Sequence, residues 1–227
     1  DGQPTYGGYS KHIVVDEQYA LTIPDGLPLE GVAPLLCAGI TTYSPLRQWG
    51  GGKGHTLAVV GLGGLGHMAV KIGLAMGADV TVLSRSDSKR PDAVRLGAHD
   101  YVATSQEGTL TRLVRNFDFV IDTISAPHDL NAHLELLKTD GTYILVGASP
   151  ESIPVSAFSL ILRRRRLVGS LIGGIRETQE MLDFCGEHGV TSDVEVIPIS
   201  QINEAYERVI RGDVKFRFVI DMASLGQ

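Results

Sequence analysis

The stretch HTLAVVGLGGLGHMAVKIGLAMG, from His55 to Gly77, decides the fold. An apolar run of strand length leads into a turn with the spacing G-x-G-x-x-G, and an amphipathic segment follows. In that context Gly61 permits a tight turn, Gly63 lets the backbone approach a pyrophosphate, and Gly66 lets the helix pack close to the strand. The stretch therefore predicts a strand, a phosphate-binding turn and a helix; a glycine-rich loop without a ligand is the weaker interpretation.

Further apolar runs of strand length follow along the chain. The four runs are Leu57–Val60, Val80–Leu83, Phe117–Ile121 and Tyr143–Val146. Continuous apolar runs are typical of a parallel sheet that is covered on both faces. Helical stretches are expected at about Asp87–Leu96, closed by Gly97, and at Asn131–Lys138, closed by Gly141. The alternation predicts an α/β fold with a doubly wound parallel sheet over residues 39–172.

The two ends of the chain do not follow this alternation. Residues 1–38 are rich in Gly and Pro, with a strand expected at His12–Val15. Residues 173–227 predict two helices and a closing apolar strand at Phe216–Met222, with Ser200 as the N-cap of the second helix. Both ends are interpreted as parts of another, incomplete domain.

Composition and charge exclude several classes of protein. Of the 227 residues 43% are hydrophobic and 20% charged, which indicates a globular chain, and the net charge of −6 argues against nucleic acid or an anionic membrane as the main partner. No apolar run approaches the roughly 18 residues that a membrane span needs. Two cysteines cannot form a disulfide framework, so the cytoplasm is expected. The run Arg163–Arg166 predicts a solvated loop without a site.

The end of the second predicted strand indicates which dinucleotide binds. NAD sites place an Asp or Glu there for the ribose hydroxyls, whereas this chain has Ser84, followed by Arg85, Ser86 and, further on, Lys89. Hydroxyl and cationic groups favour a 2′-phosphate, which a carboxylate would repel. NADP is therefore the predicted cofactor, with Asp87 as the residue that could instead contact the ribose of NAD.

Four segments resemble a known family: GGYSKHIVVDEQYALTIP (Gly7–Pro24), APLLCAGITTYSPL (Ala33–Leu46), GLGGLGHMAVK within the stretch quoted above, and DVKFRFVIDM (Asp213–Met222). They are similar to the zinc-dependent medium-chain alcohol dehydrogenases, and most of all to the NADP-dependent, cinnamyl alcohol dehydrogenase-like branch. The resemblance implies a Rossmann coenzyme domain flanked by pieces of a GroES-like catalytic domain. It also implies a usually dimeric enzyme that transfers hydride from NADPH to a zinc-bound aldehyde of the cinnamyl, aromatic or medium-chain type.

The same resemblance implies that part of the metal site lies outside the chain. Cys37 matches one ligand of the catalytic zinc, while an earlier Cys and a His-Glu pair would lie upstream of Asp1. The N-terminal part of the catalytic domain is therefore expected to be missing, by processing or truncation, and the activity is expected of the complete protein rather than of this chain alone. The seven histidines show no metal-binding spacing and are expected to be surface or packing residues, and Cys185 is expected in the core.

The resemblance also places further residues at the cofactor. Thr41 corresponds to a residue at the reacting nicotinamide ring, the segment Val146–Ala148 to one that binds the carboxamide, and Arg217 to an arginine that reaches the phosphates. The residues of that segment are Val146, Gly147 and Ala148. Further expected contacts with the cofactor are Gly64, Leu65, Thr123, Ser170 and Ile172. A dimer contact is expected around Leu167–Gly173.

Two alternatives remain open from the sequence. The chain could be a non-catalytic, truncated protein that binds NADPH, and finding the missing ligands upstream would decide against this. It could also be a zinc-free quinone or enoyl reductase, which shares the glycine turn, although Cys37 weighs against that alternative because a metal has no role there.

Overall fold

The computed structural model describes residues 7–106 and 108–226. In this part of the chain six parallel strands form one sheet in the order β3-β2-β1-β4-β5-β6. The strands are β1 (Thr56–Val60), β2 (Asp79–Ser84), β3 (Asp100–Ala103), β4 (Phe117–Asp122), β5 (Leu137–Leu145) and β6 (Arg166–Gly169). This is the strand order of a doubly wound dinucleotide-binding sheet, which confirms the predicted fold class.

Helices cover both faces of the sheet. They are α1 (Leu29–Val32), α2 (Ala38–Trp49), α3 (Gly66–Ala75), α4 (Arg90–Arg95), α5 (Thr109–Arg112), α6 (Leu130–Leu134), α7 (Ala157–Ile161), α8 (Ile175–His188) and α9 (Ile202–Ile210). Apolar side chains of α2, α3 and α8 form one core with the sheet, and those of α6 form a second core against the opposite face. Every residue of β1 from Leu57 to Val60 is buried, because its side chains point alternately into these two cores.

The predicted helix after the glycine turn is confirmed as α3. Gly77 follows its end with a φ of +85°, a left-handed conformation that favours glycine. Helix α8 is also confirmed, because its buried residues are the predicted apolar stripe: Thr178, Met181, Leu182 and Cys185. No helix in residues 7–106 and 108–226 is long and apolar enough to cross a membrane.

The C-terminal part contains a strand that the sequence did not indicate. Strand β7 (Val194–Pro198) pairs in parallel with β8 (Arg217–Asp221), and α9 connects the two. Helix α9 buries only Ala205, so its predicted apolar stripe is largely exposed in this chain. Gln201, and not Ser200, occupies the N-cap of α9, because Ser200 belongs to a preceding 3₁₀ turn.

Two other local predictions are wrong. The segment His12–Val15 forms no strand and pairs with none among the described residues. The helix predicted at Asn131–Lys138 ends at Leu134, because Leu137 already pairs with Phe117 as the first residue of β5. Pairing with β4 therefore overrides the helical pattern, and Gly141 lies inside the strand instead of closing a helix.

The arginine run is not simply a solvated loop. The Arg165 side chain is 1% exposed and forms an ion pair with Glu135 at 2.7 Å. It also donates hydrogen bonds to the carbonyl oxygens of Leu137 and Ser159. Arg165 thus links β5 to the segment after α6. Its guanidinium can be buried because its N–H donors have acceptors.

Candidate cofactor-binding site

The glycine turn has the geometry that a phosphate-binding turn requires. Gly61 has a φ of +90°, and its N–H donates to the Leu83 carbonyl of β2 at 2.8 Å. A Cβ on Gly66 would overlap the carbonyl oxygen of Gly61, so the start of α3 can approach the end of β1 only without a side chain. A Cβ on Gly63 would meet nothing within 4 Å, so the backbone there is open to a ligand.

Arg217 of β8 lies directly over this turn. A Cβ built on Gly64 would lie 2.5 Å from Arg217 Nε, so the guanidinium packs on the glycine backbone. The Nε atom is buried and has no hydrogen-bond partner among the described residues. Leu65, the N-cap residue of α3, provides no side-chain cap for the helix. A helix N-terminus without a side-chain cap, next to a guanidinium nitrogen without a partner, is an environment that suits an anion.

His67 fixes the first turn of α3. Its side chain is buried, with Nδ1 3.1 Å from the Gly63 carbonyl oxygen and Nε2 2.9 Å from Ser192 Oγ. The ring stacks on Phe216, with 4.6 Å between the centroids. Burial lowers the pKa of His67 to about 4, so the ring is neutral at pH 7. The histidine is a packing residue, as predicted, and it joins the turn to the segment before β7.

A cavity of about 520 Å³ opens at the carboxyl ends of β1, β2 and β4. Six of the predicted site residues line it: Gly61, Gly63, Ser84, Arg85, Lys89 and Thr123. Thr123 Oγ1 donates to the Val60 carbonyl at 2.8 Å, which places the residue after β4 against the turn. The carboxyl edge of a parallel sheet, where the strand order reverses, is the usual ligand site of this fold.

The polar groups at the end of β2 face this cavity without a free carboxylate. Asp87 is bound to Arg90, whose Nη2 lies 2.7 Å from Asp87 Oδ1, and Asp87 does not line the cavity. Lys89 Nζ donates to the Leu62 carbonyl at 2.8 Å, so its charge lies next to the glycine turn. The arrangement suits a phosphate better than a ribose hydroxyl that needs a carboxylate acceptor.

A second cavity, also of about 520 Å³, brings Cys37 and Arg217 together. Its walls are otherwise mostly apolar and come from the segment before α2 and from the β7-α9-β8 unit. Cys37 precedes α2 and is exposed, and its carbonyl accepts a hydrogen bond from Thr41 Oγ1 at 2.6 Å. In residues 7–106 and 108–226 no group of three His, Cys, Asp or Glu side chains could hold a metal ion.

The other predicted residues line neither cavity. They are Thr41, Gly64, Leu65, Gly66, Ser86, Val146, Gly147, Ala148, Ser170 and Ile172. Several still lie at the same edge of the sheet: the N–H groups of Val146 and Gly147 donate to the Asp122 carbonyl at 3.0 and 2.9 Å. Ser170 N–H donates to the Leu145 carbonyl at 3.1 Å, just beyond β6.

Two histidines of the cavity wall were missed by sequence reasoning. His128 and His133 line the nucleotide-sized cavity, next to the residues that follow β4. His128 Nε2 lies 2.8 Å from the carboxylate of Asp122, which is fully buried. Their position in the sequence could have indicated this location, because both follow β4, whose end meets the glycine turn. No metal-binding or catalytic motif includes them.

Comparisons with known proteins give matches over most of the chain. Residues 64–187 match the family profile described as zinc-binding dehydrogenase. NADP-dependent alcohol dehydrogenase C 1 of Mycolicibacterium smegmatis is 60% identical over 225 residues, which are 99% of this chain and 64% of that protein. Aldehyde reductase YahK of Escherichia coli is 54% identical over 224 residues, 97% of this chain and 64% of that protein.

Solved structures show the same relationship. A cinnamyl alcohol dehydrogenase of Sorghum bicolor, SbCAD4, superposes with a TM-score of 0.87 at 45% identity over 89% of this chain and 58% of its own. CAD of Helicobacter pylori, crystallised with NADP(H), gives 0.88 and 45% over 97% of this chain and 63% of its own. The chain thus spans less than two thirds of these relatives. Because the profile covers more than half of its length, this chain belongs to the zinc-binding dehydrogenase family.

Proposed function

We propose that this chain binds NADP(H) at the carboxyl edge of its six-stranded sheet. In this proposal residues 39–172 are the coenzyme domain of an alcohol dehydrogenase that reduces aldehydes or oxidises alcohols, and residues 1–38 and 173–227 belong to its catalytic domain. The main support is the end of β2, where Ser84 and Arg85 face the cavity while Asp87 is bound to Arg90. The relatives named NADP-dependent alcohol dehydrogenase and aldehyde reductase, at 60% and 54% identity, give further support.

The residues of the turn bind and orient the dinucleotide in this proposal. Gly61 and Gly63 let the backbone approach the pyrophosphate, and Arg217 pairs with it through the guanidinium that otherwise has an unpartnered Nε. Gly64, Leu65 and Gly66 shape the same turn. Ser84, Arg85, Ser86 and Lys89 receive the 2′-phosphate of the adenosine. Bound NADPH supplies the hydride for carbonyl reduction.

The nicotinamide end is assigned by the resemblance. Thr41 packs against the ring, the backbone of Val146–Ala148 binds the carboxamide, and Thr123, Ser170 and Ile172 border the same end. Support comes from the position of Val146 and Gly147, whose backbone follows β5 at the edge of the sheet that carries the cavity. An ordered nicotinamide is needed because hydride transfer requires the reacting atoms at close distance.

Zinc does not fit the described residues by themselves. A catalytic zinc takes about three protein ligands and keeps an open position, whereas Cys37 is the single predicted ligand and no three-ligand group is present in residues 7–106 and 108–226. Cys37 remains a proposed ligand, and no step of the reaction is assigned to a metal held by these residues. Aromatic, cinnamyl-type or medium-chain aldehydes are the proposed substrates.

A homodimer in the cytoplasm is the proposed state. The edge strand β6 is followed by Leu171, which is 87% exposed, and Phe158 of the neighbouring α7 is 67% exposed. Exposed apolar side chains beside an unpaired strand edge suit a second copy of the chain. Sedimentation velocity tests this, and a monomer at every accessible concentration would contradict it. Cys37 and Cys185 form no disulfide, which suits a reducing compartment.

The cofactor assignment is tested by calorimetric titration of the chain with NADPH and with NADH. We expect tighter binding of NADPH, and a loss of that preference by roughly tenfold in Arg85→Ala, because a charge-assisted hydrogen bond contributes about 1.5–3 kcal/mol. Arg176→Ala removes an arginine that is 94% exposed on α8 and serves as the matched control. Equal affinities, or a preference for NADH, would refute the assignment. Consumption of NADPH with an aromatic aldehyde then separates an enzyme from a non-catalytic binder.

A further inference from the structure

A buried carboxylate lies directly behind the wall of the nucleotide cavity, in contact with His128, which lines that cavity. Asp122 ends β4 and is level with Val60, the last residue of β1 before the glycine turn. Its side chain is 0% exposed. The carboxylate accepts hydrogen bonds from the Ile124 N–H at 2.9 Å and from the Tyr143 hydroxyl at 3.0 Å. Two neutral donors leave the negative charge uncompensated, and a buried charge is tolerated only with a counter-charge.

His128 is the group that can supply this counter-charge. Its Nε2 lies 2.8 Å from Asp122 Oδ2, and it is the one basic side chain with an ion-pair contact to Asp122 among the described residues. Burial raises the pKa of Tyr143 well above its usual value, with the Asp122 charge adding to the effect, so the phenol stays a neutral donor. Burial lowers the pKa of His133, although Asp122 opposes this, so His133 stays neutral.

His128 has an acceptor oxygen next to each of its ring nitrogens. Nδ1 lies 2.9 Å from the Ala126 carbonyl oxygen, which can only accept, so Nδ1 carries a hydrogen. Nε2 faces a carboxylate, which also only accepts, and the contact is short but not aligned as a hydrogen bond. Both nitrogens therefore face acceptors, and a neutral imidazole, which has one N–H, can donate to only one of them.

The pair lies where it affects an anionic ligand. The His128 side chain is 11% exposed and lines the same cavity as Arg85 and Lys89. Asp129, the acid that lines this cavity, is exposed and caps α6. We propose that His128 is the counter-ion of Asp122 and thereby a positioning residue for nucleotide binding, because without it a bare carboxylate would repel the phosphates. The inference rests on the proposed function, namely that this cavity binds NADP(H).

Three variants test the pair at pH 8: His128→Ala, Asp122→Asn and the double variant. We expect His128→Ala to weaken NADPH binding on the order of tenfold, since one uncompensated charge in a protein environment has an effect of that size. NADH, which carries less negative charge, should lose less. Adding Asp122→Asn to His128→Ala should restore most of the affinity, because the repelling carboxylate is gone. His12→Ala, at an exposed histidine, is the control for side-chain removal.

The outcomes separate this inference from the proposed function. If the unsubstituted chain binds NADPH and His128→Ala binds it equally well, the inference alone is wrong. If the double variant binds no better than His128→Ala, the histidine acts through packing and the counter-ion role is overturned. If the folded unsubstituted chain binds no NADPH, the proposed function fails and the inference fails with it. Should His128→Ala not fold by circular dichroism, His128→Asn with and without Asp122→Asn replaces it, with the same expected order of affinities.

Discussion

Protonation of His67 should make the stability of this chain depend on pH. The ring lies between the Gly63 carbonyl and Ser192 Oγ and stacks on Phe216, with no exposed surface. Burial lowers its pKa to about 4 in the folded chain, against about 6.5 for an unfolded histidine. The unfolded state therefore binds the proton more readily. The stabilisation is complete above pH 6.5 and is lost as the pH falls from there toward 4.

The size of the effect follows from these two pKa values. Each pKa unit corresponds to about 1.4 kcal/mol, so the full loss below pH 4 is about 3 kcal/mol. Linkage gives a loss of about 2 kcal/mol between pH 7.5 and pH 5.0, where the unfolded histidine is almost fully charged and the folded one is still mostly neutral. Such a loss is a large part of the 5–15 kcal/mol that typically separates folded and unfolded domains.

Urea unfolding at pH 7.5 and 5.0 measures this directly, by comparing the unsubstituted chain with His67→Gln. The variant should be less stable at pH 7.5, yet its free energy of unfolding should fall by about 2 kcal/mol less on acidification. His12→Gln removes an exposed histidine and should leave the pH dependence unchanged. The same pH dependence in His67→Gln and in the unsubstituted chain would refute the assignment of a buried, neutral His67.

Three further outcomes are expected from the contacts described above. Gly63→Ala should keep the stability of the chain but weaken NADPH binding at least tenfold, because its Cβ fills the open approach to the turn. Gly66→Ala should instead lower the melting temperature, at a cost of about 1–3 kcal/mol, because its Cβ overlaps the backbone. Thermal melts in which Gly63→Ala is the less stable of the two would contradict this. Arg165→Met should lower the free energy of unfolding by about 1–3 kcal/mol, since it leaves the Leu137 and Ser159 carbonyl groups without their donor. A loss in urea titrations no larger than for an exposed arginine would be inconsistent with the burial of Arg165. A thiol reagent should modify one cysteine in the folded chain, the exposed Cys37, and reach Cys185, whose pKa burial raises to about 12, only on unfolding; rapid modification of two thiols under native conditions would overturn this.

Features that depend on near neighbours in the chain were predictable. The apolar runs at Leu57–Val60 and Val80–Leu83 are strands in which the apolar side chains are buried. A continuous apolar run is expected wherever both faces of a strand are covered. The spacing of Gly61, Gly63 and Gly66 reports local backbone geometry and close approach within six residues. The hydrophobic pattern and the backbone freedom of glycine depend only on nearby residues, so they can be predicted from the sequence alone.

The predictions that were wrong concern residues whose structure depends on contacts with another element. Helical periodicity extended past Leu134, but pairing of Leu137 with β4 decided the structure there. A run of four arginines looks solvated until the fold places Glu135 beside Arg165. Strand β7 was missed because its partner β8 lies beyond an intervening helix. In each case the deciding partner comes from another element, and its distance is unknown until the chain is folded.

The sequence by itself determined the doubly wound sheet, the glycine turn between β1 and α3 and the lack of a carboxylate at Ser84, because these depend on the order and type of adjacent residues. Only the tertiary structure decided that Arg217 lies over Gly64, that Asp87 lies outside the lining of the cavity, and that His128 meets Asp122. The burial and pairing of a charged side chain depend on the groups that pack around it in three dimensions, and the residue type alone does not reveal those groups.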